Sequence, residues 1–272
     1  MRQGFLSFLL TVISRLLLRR DRLNGTKRRM LRLFSCAEQR LVIASGGRRL
    51  SAVYVSAGVS AADETPAVLI CHGIGELVEY WCGVQDLLKT TGISSLVFNY
   101  SGYGDSSGYI SAANCEEDAV SAYGELLARG HRPIVLLGFS LGSAVSGAAA
   151  SRLGVDGLVL CEGFSTFREA GTAMGFPRWM TLAVPDSWQT VRRVSEVEIP
   201  VLVVHSDGDD LFPVAMARRV AEASGAHGEL IVVHGLSHNA PIFTPTAGYW
   251  QPIADWVKER RSVVPAERLV LG

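Results

Sequence analysis

Residues 133–150 read PIVLLGFSLGSAVSGAAA, and their centre, Gly138-Phe139-Ser140-Leu141-Gly142, decides how the chain folds. Ile134 to Leu137 is a short apolar run after Pro133, the mark of a strand buried on both faces. Ser143 to Ser151 is rich in alanine and other small residues, which suits a close-packed helix. Strand, G-x-S-x-G and helix in that order predict a nucleophile elbow. The turn is so sharp that glycine is needed at both flanks, and the serine is held exposed at its tip. With 28 glycines in 272 residues, the bare pattern also fits a plain glycine-rich turn. The flanking strand and helix make Ser140 a candidate nucleophile.

Outward from the elbow, short apolar runs alternate with helical stretches. Upstream, RLVIAS, Gly46-Gly47 and RRLSAVYV predict a β-hairpin on a two-glycine turn. AVLICH (67–72) and SSLVFNY (94–100) predict buried strands, with the helix WCGVQDLLK between them. CEEDAVSAYGELLARG is expected to be a helix capped by Asn114, with its acids in the first turn. Downstream, VDGLVLCE (155–162), PVLVVH (200–205) and ELIVVH (229–234) predict strands, and VAMARRVAEASG and GYWQPIADWVKERR predict helices. Such alternation implies a mainly parallel sheet with helices on both faces. Residues 163–195 interleave aromatic, Met and Pro residues without a long period, and are expected to form a short lid over a pocket.

A serine hydroxyl attacks a carbonyl only when a base takes its proton and an acid orients that base. The candidate base is His238, in the loop Gly235-Leu236-Ser237-His238-Asn239 after ELIVVH. His234 ends the strand itself, and His205, His131 and His227 read as strand-end or surface residues. The candidate acid is Asp209, in the loop after PVLVVH, with Asp207 and Asp210 close rivals and Glu162 a distant one. An anionic tetrahedral intermediate needs two N–H donors. Leu141, directly after the serine, would supply one, and Ile74 the other, where Gly73 lets the backbone come close. His72 is expected to brace that loop. Phe139, Phe164, Met174 and Trp179, with Phe167, Phe176 and Met180, are candidates to line an apolar substrate pocket. The plainer reading of those residues is core.

Four stretches in order carry a resemblance: HGIG at 72, NYSGYGDSSG at 99, GFSLG at 138, and HSDGDDLFP at 205 with GLSHN at 235. Together they resemble the α/β-hydrolase superfamily, and within it the serine aminopeptidase and monoacylglycerol-lipase-like group. The resemblance covers about residues 40–260 and implies an α/β-hydrolase fold with the triad in the chain order Ser, Asp, His. In that family the acid stands four residues after a strand-end histidine and four before a proline. His205, Asp209 and Pro213 have that spacing, which favours Asp209 over its neighbours. The chain departs from the family at Ser101, where relatives often carry arginine, and at Ser206, where they often carry glycine. The loop at 101 is therefore expected to hold a different partner.

Net charge is zero but unevenly spread, with 12 Lys and Arg against 2 acids in residues 1–49 and 14 against 24 in the rest. In GFLSFLLTVISRLLL (4–18), Arg15 interrupts a run already shorter than the ~20 residues that span a bilayer. Gln3, Ser7, Thr11, Arg15 and Arg19 recur every fourth residue, which suits a helix lying in a membrane interface. A helix packed on the domain's own surface and a transit peptide are the alternatives, and no small-residue cleavage site follows. KRRMLRLF (27–34) has one aromatic and no nucleic-acid motif, so no nucleic-acid partner is expected. Cys36, Cys71, Cys82, Cys115 and Cys161 show no metal-ligand spacing, and the expectation is free thiols in a reducing compartment.

The expected organisation is an amphipathic basic arm (1–39), an α/β-hydrolase domain (40–262, lid about 163–195) and a tail (263–272). The expected function is a serine hydrolase that cleaves a carboxylic ester or thioester of a small-molecule acyl or lipid substrate through an acyl-enzyme. It would be cytoplasmic and peripheral on the membrane through residues 1–24, with no metal or organic cofactor. A serine peptidase, and a catalytically silent hydrolase fold used as a membrane-bound binding module, remain open.

Overall fold

The computed structural model describes residues 38–58, 65–183 and 188–260. The amphipathic stretch at 1–24, KRRMLRLF and Cys36 lie outside the described residues, as do 59–64, 184–187 in the lid and the tail from 261.

The hairpin forms on its two glycines. β1 (Glu38–Ser45) and β2 (Arg48–Val55) pair antiparallel with Ser45 opposite Arg48. Gly46 and Gly47 take φ of 50° and 77°, the two positive values that a tight turn matching strand twist requires. The other strands are β3 (Ala67–Cys71), β4 (Ser94–Phe98), β5 (Ile134–Phe139), β6 (Gly157–Cys161), β7 (Val201–Ser206) and β8 (Gly228–Val233). They form one sheet in the order β1-β2-β4-β3-β5-β6-β7-β8. Every pairing from β4 to β8 is parallel, and β2 meets β4 antiparallel.

The helices are α1 (Cys82–Thr90), α2 (Ala112–Ala128), α3 (Leu141–Ala150), α4 (Phe167–Ala173), α5 (Arg178–Ala183), α6 (Thr190–Val194), α7 (Val214–Ala223), α8 (Ala240–Phe243) and α9 (Ala247–Lys258). Strand side chains alternate between two cores, as period-2 geometry dictates. Leu69, Leu96, Leu136, Leu158 and Val203 pack with α2, α3 and α7. Ile70, Val97, Leu137, Val159 and Val204 pack on the opposite face, with Trp81 and with Trp250 and Trp256 of α9. The parallel strands from β3 to β8 send their carboxyl ends to one edge, where the motif-bearing loops gather.

Three local expectations need correction or completion. α2 is capped by Ser111, whose Oγ accepts from Asn114 N at 3.1 Å, while Asn114 sits inside the helix and bonds back to Tyr109 O. No acid lies in its first turn. Among the described residues of 163–195, the segment expected to be a lid forms three short helices, α4 to α6, pinned by the buried Trp188, whose carbonyl accepts from Phe167 N. The partner of the loop at 101 is Arg48 of the hairpin. Its Nε donates to Ser101 Oγ at 2.8 Å and its guanidinium pairs with Glu117 and Asp118, while Asp118 also accepts from Ser101 N. An arginine from another strand thus occupies the neighbourhood of the missing one. No described helix is long and apolar enough to cross a membrane.

Candidate active site

The elbow is set by clearances that only glycine meets. A Cβ on Gly138 would lie 2.3 Å from Gly142 O, and one on Gly142 would lie 1.8 Å from Cys71 O. Between them Ser140 takes φ of 53°, a left-handed conformation that a non-glycine residue adopts only when its surroundings force it. Ser140 N donates to Cys161 O, and Ser143 Oγ bonds to both Gly138 O and Cys161 O, tying the turn to β6.

Ser140 Oγ lies 3.0 Å from His238 Nε2, and His238 Nδ1 lies 2.7 Å from Asp209 Oδ2. A carboxylate only accepts, so Nδ1 carries the ring proton and Nε2 is left free to take one from the hydroxyl. Phe139 and Phe212 pack against the imidazole with centroids 5.5 and 5.3 Å away. Asp209 Oδ1 accepts from the amides of Leu211 and Phe212. Burial acts to raise its pKa, but the His238 bond and charge and those two amides outweigh it and hold it below the ordinary value. Of the rivals, Asp207 is turned to the exposed His234 and Gly235 N, and Asp210 accepts from the His238 backbone. Glu162 stands behind Asp209.

The candidate oxyanion donors flank the serine. Leu141 opens α3, so its N–H is among those a helix leaves without an internal partner. The loop after β3 passes so close that a Cβ on Gly73 would lie 3.2 Å from Ser140 Cβ. Among the described residues neither Leu141 N nor Ile74 N bonds a backbone carbonyl. His72 is buried, donates from Nδ1 to Gly73 O at 2.8 Å, and has its pKa lowered by burial to about 4, which keeps it a neutral brace.

One group in this loop escaped the sequence reading. Glu76 is buried, and its Oε2 accepts from Gly73 N at 2.9 Å and from the Trp81 indole at 3.0 Å. The only sequence signal was an acid directly following His72-Gly73-Ile74-Gly75. Burial pushes its pKa up to about 7, against the opposing pull of those two donors. Below its ordinary value of 4.5 both folded and unfolded chains hold the proton. Between there and about 7 only the folded chain does, so stability falls as pH rises through that window. Glu76→Gln keeps the hydrogen bonds without the titration, and its melting temperature is expected to fall less from about pH 5 to 7 than that of the wild type. Parallel thermal melts across that range check this.

The four candidate pocket residues do not converge. Phe139 is fully buried in the core beside Trp81 and His238, so it supports the imidazole ring. The period of β5, which puts Leu137 and Phe139 on one face, carried that information. Phe164 is buried against Phe167 and Phe212. Met174, just after α4, and Trp179, in α5, are 44% and 72% exposed. A cavity of about 570 Å³ lies between α4, α5 and α7, and neither Ser140 nor His238 lines it. Glu162, His205 and Asp209 have ligand-type atoms within 4.8 Å of one another, but protein donors already use the carboxylate oxygens. That set reads as a proton network.

Comparison with known proteins fits this geometry. The family model of the alpha/beta hydrolase fold matches residues 66–190. The matched segment is just under half of the chain, and the sheet order and parallel pairings above have the α/β-hydrolase fold that the model describes. An uncharacterized protein of Mycobacterium tuberculosis is 32% identical over 181 residues, covering 65% of this chain and 64% of the relative. Less than two thirds of that relative's length is thus matched. The alpha/beta hydrolase domain-containing protein 17B of Xenopus laevis is 26% identical over 202 residues, covering 72% of this chain and 67% of the relative. Among solved structures, an esterase of Pyrococcus furiosus superposes with a TM-score of 0.69 at 17% identity, covering 85% of this chain and 95% of that one. At that identity the likeness is one of fold. The matched segment contains the elbow and the loop after β3 but ends before Asp209 and His238, whose grouping rests on the geometry above.

Proposed function

We propose that this chain is a serine hydrolase that cleaves a carboxylic ester or thioester through an acyl-enzyme. The observation that carries the reading is the continuous chain from Ser140 Oγ to His238 Nε2 at 3.0 Å and from His238 Nδ1 to Asp209 Oδ2 at 2.7 Å. Ser140 Oγ attacks the carbonyl carbon as its proton passes to His238 Nε2. The C–O or C–S bond then breaks, and the leaving alkoxide or thiolate takes that proton. Water, deprotonated by the same nitrogen, attacks the acyl carbon and frees Ser140 as the acid departs. Asp209 holds the ring and balances the imidazolium, and the Leu141 and Ile74 amides receive the oxyanion. Covalent labelling by a fluorophosphonate tests this. The wild type should be labelled and Ser140→Ala should not. Equal labelling of both, or none of either with no ester hydrolysis, would refute it and favour the binding-module reading.

The substrate is proposed to be an apolar acyl compound met at a membrane surface, on two supports. The arm at 1–24 has amphipathic spacing, and the lid exposes Trp179 and Leu182. Deleting residues 1–24 is expected to release the protein from liposomes in a flotation assay while hydrolysis of a soluble short-chain ester changes by no more than about twofold. Unchanged flotation would remove the anchor from this reading.

A further inference from the structure

Behind Asp209, on the side away from the serine, lies a buried cluster that the proton transfers above do not use. Glu162 follows β6 with φ of 46°, left-handed for a residue that is not glycine. The side chains of Glu162, His205 and Asp209 are fully buried, and their ligand-type atoms lie within 4.8 Å of one another. Glu162 Oε1 accepts from the Tyr249 hydroxyl at 2.9 Å, and both its oxygens lie 3.1 Å from Ser206 N. His205 Nε2 donates to Phe212 O at 2.9 Å, so in the neutral ring Nδ1 is a bare lone pair. That Nδ1 has no hydrogen-bond partner and stands 3.7 Å from Glu162 Oε2.

An ionised Glu162 would therefore face a bare imidazole nitrogen on one side and a second carboxylate on another, in a dry setting where such contacts are costly. A proton on Glu162 relieves both. We propose that Glu162 is a positioning residue for the reaction: a neutral carboxylic acid, held by Tyr249 and the Ser206 amide, that leaves Asp209 as the single negative charge behind His238.

The titratable groups facing Glu162 are Asp209 and His205 from β7 and its loop, Tyr249 from α9 and Cys161 on its own strand. Burial first, and then Asp209, raise its pKa to about 8. Burial also lowers that of His205, while Asp209 is held below the ordinary carboxylate value. Two carboxyls pushed apart in this way take different roles. As pH rises past about 8, Glu162 ionises and adds a second negative charge near Asp209. That second charge repels Asp209 and weakens its hold on the His238 ring, which aims Nε2 at Ser140. Activity should therefore fall on the alkaline side.

The inference rests on the hydrolase reading, and its test separates the two. Hydrolysis of a p-nitrophenyl ester would be followed against pH for wild type, Glu162→Gln and Glu162→Asp, with the spontaneous rate subtracted. Glu162→Gln, the isostere of the protonated acid, should keep kcat/KM within about threefold near pH 7 and lose the alkaline fall. The proposal is overturned if Glu162→Gln keeps the same fall. It is overturned equally if Glu162→Gln loses about a hundredfold near pH 7 while Glu162→Asp does not, because a negative charge would then be needed. Infrared spectra of the folded chain give an answer that needs no turnover. A protonated-carboxyl band should be present near pH 7 in wild type and smaller in Glu162→Gln, where the contribution of Glu76 remains. Absence of that difference overturns the proposal in the resting protein. That difference without any hydrolysis overturns instead the hydrolase reading beneath it.

Discussion

Ser140→Ala is expected to lower kcat on a soluble acyl ester by about 10⁴- to 10⁶-fold while leaving the fold intact. The chemistry sets the size of the loss, since among the described residues Ser140 Oγ is the hydroxyl hydrogen-bonded to His238 Nε2. What should survive is transition-state binding by the proposed oxyanion amides of Leu141 and Ile74, which sustains a small residual rate over water. The fold should hold because the backbone of the elbow stays tied through Ser140 N to Cys161 O and through Ser143 Oγ to Gly138 O and Cys161 O. None of these bonds uses the Ser140 side chain. His238→Ala should cost about as much, and the double variant no more than either single one, because the two groups act as a unit. Rates on a p-nitrophenyl acyl series, with circular dichroism to verify folding, decide the matter. A Ser140→Ala rate within about tenfold of wild type would end the acyl-enzyme mechanism.

The elbow and the strands were legible because each is written in a contiguous stretch. Buried parallel strands need unbroken apolar runs, and VLL before Gly138 or LVV before His205 can be little else. The choice among Asp207, Asp209 and Asp210 was not written locally. Three carboxylates share one four-residue loop, and only the fold turns Asp207 toward His234, Asp210 toward the His238 amide, and Asp209 toward the imidazole. Spacing against His205 and Pro213 pointed to Asp209 only through a family resemblance. Glu76 and the Glu162–His205 contact were illegible for a related reason. A buried carboxyl looks like any surface acid until its donors from distant segments are placed. The cap of α2 was read three residues late because Asn114 and Ser111 are both good caps, and the extended backbone at Ser111 settles which one serves. Arg48 answering for the absent arginine at 101 is a long-range substitution, and no window of local sequence contains it.

Gly142→Ala is expected to be the most damaging single methyl that can be added near the site. Its Cβ would lie 1.8 Å from Cys71 O and 2.9 Å from His72 O, both backbone atoms at the end of β3. A flexible side chain would move aside, but here α3 must retreat from the central strands by more than 1 Å at ordinary contact distances. That retreat separates Ser140 from Gly73, so the same methyl that strains the core also pulls apart the loops proposed to hold the oxyanion. Overpacking in a well-filled core usually costs about 1–3 kcal/mol. A backbone-to-backbone clash with no room to relax belongs in the tail above about 4 kcal/mol, a large part of the 5–15 kcal/mol that holds a domain folded. For a domain of this size the melting temperature should drop by about 10 °C or more, or the variant should fail to accumulate. Gly124→Ala is the matched control, because its Cβ would meet nothing within 4 Å inside α2. Alanine there should stabilise by about 0.5–1 kcal/mol through helix propensity alone. If thermal melts showed the two variants shifting alike, the close approach of α3 to β3 would not be what holds the elbow in place.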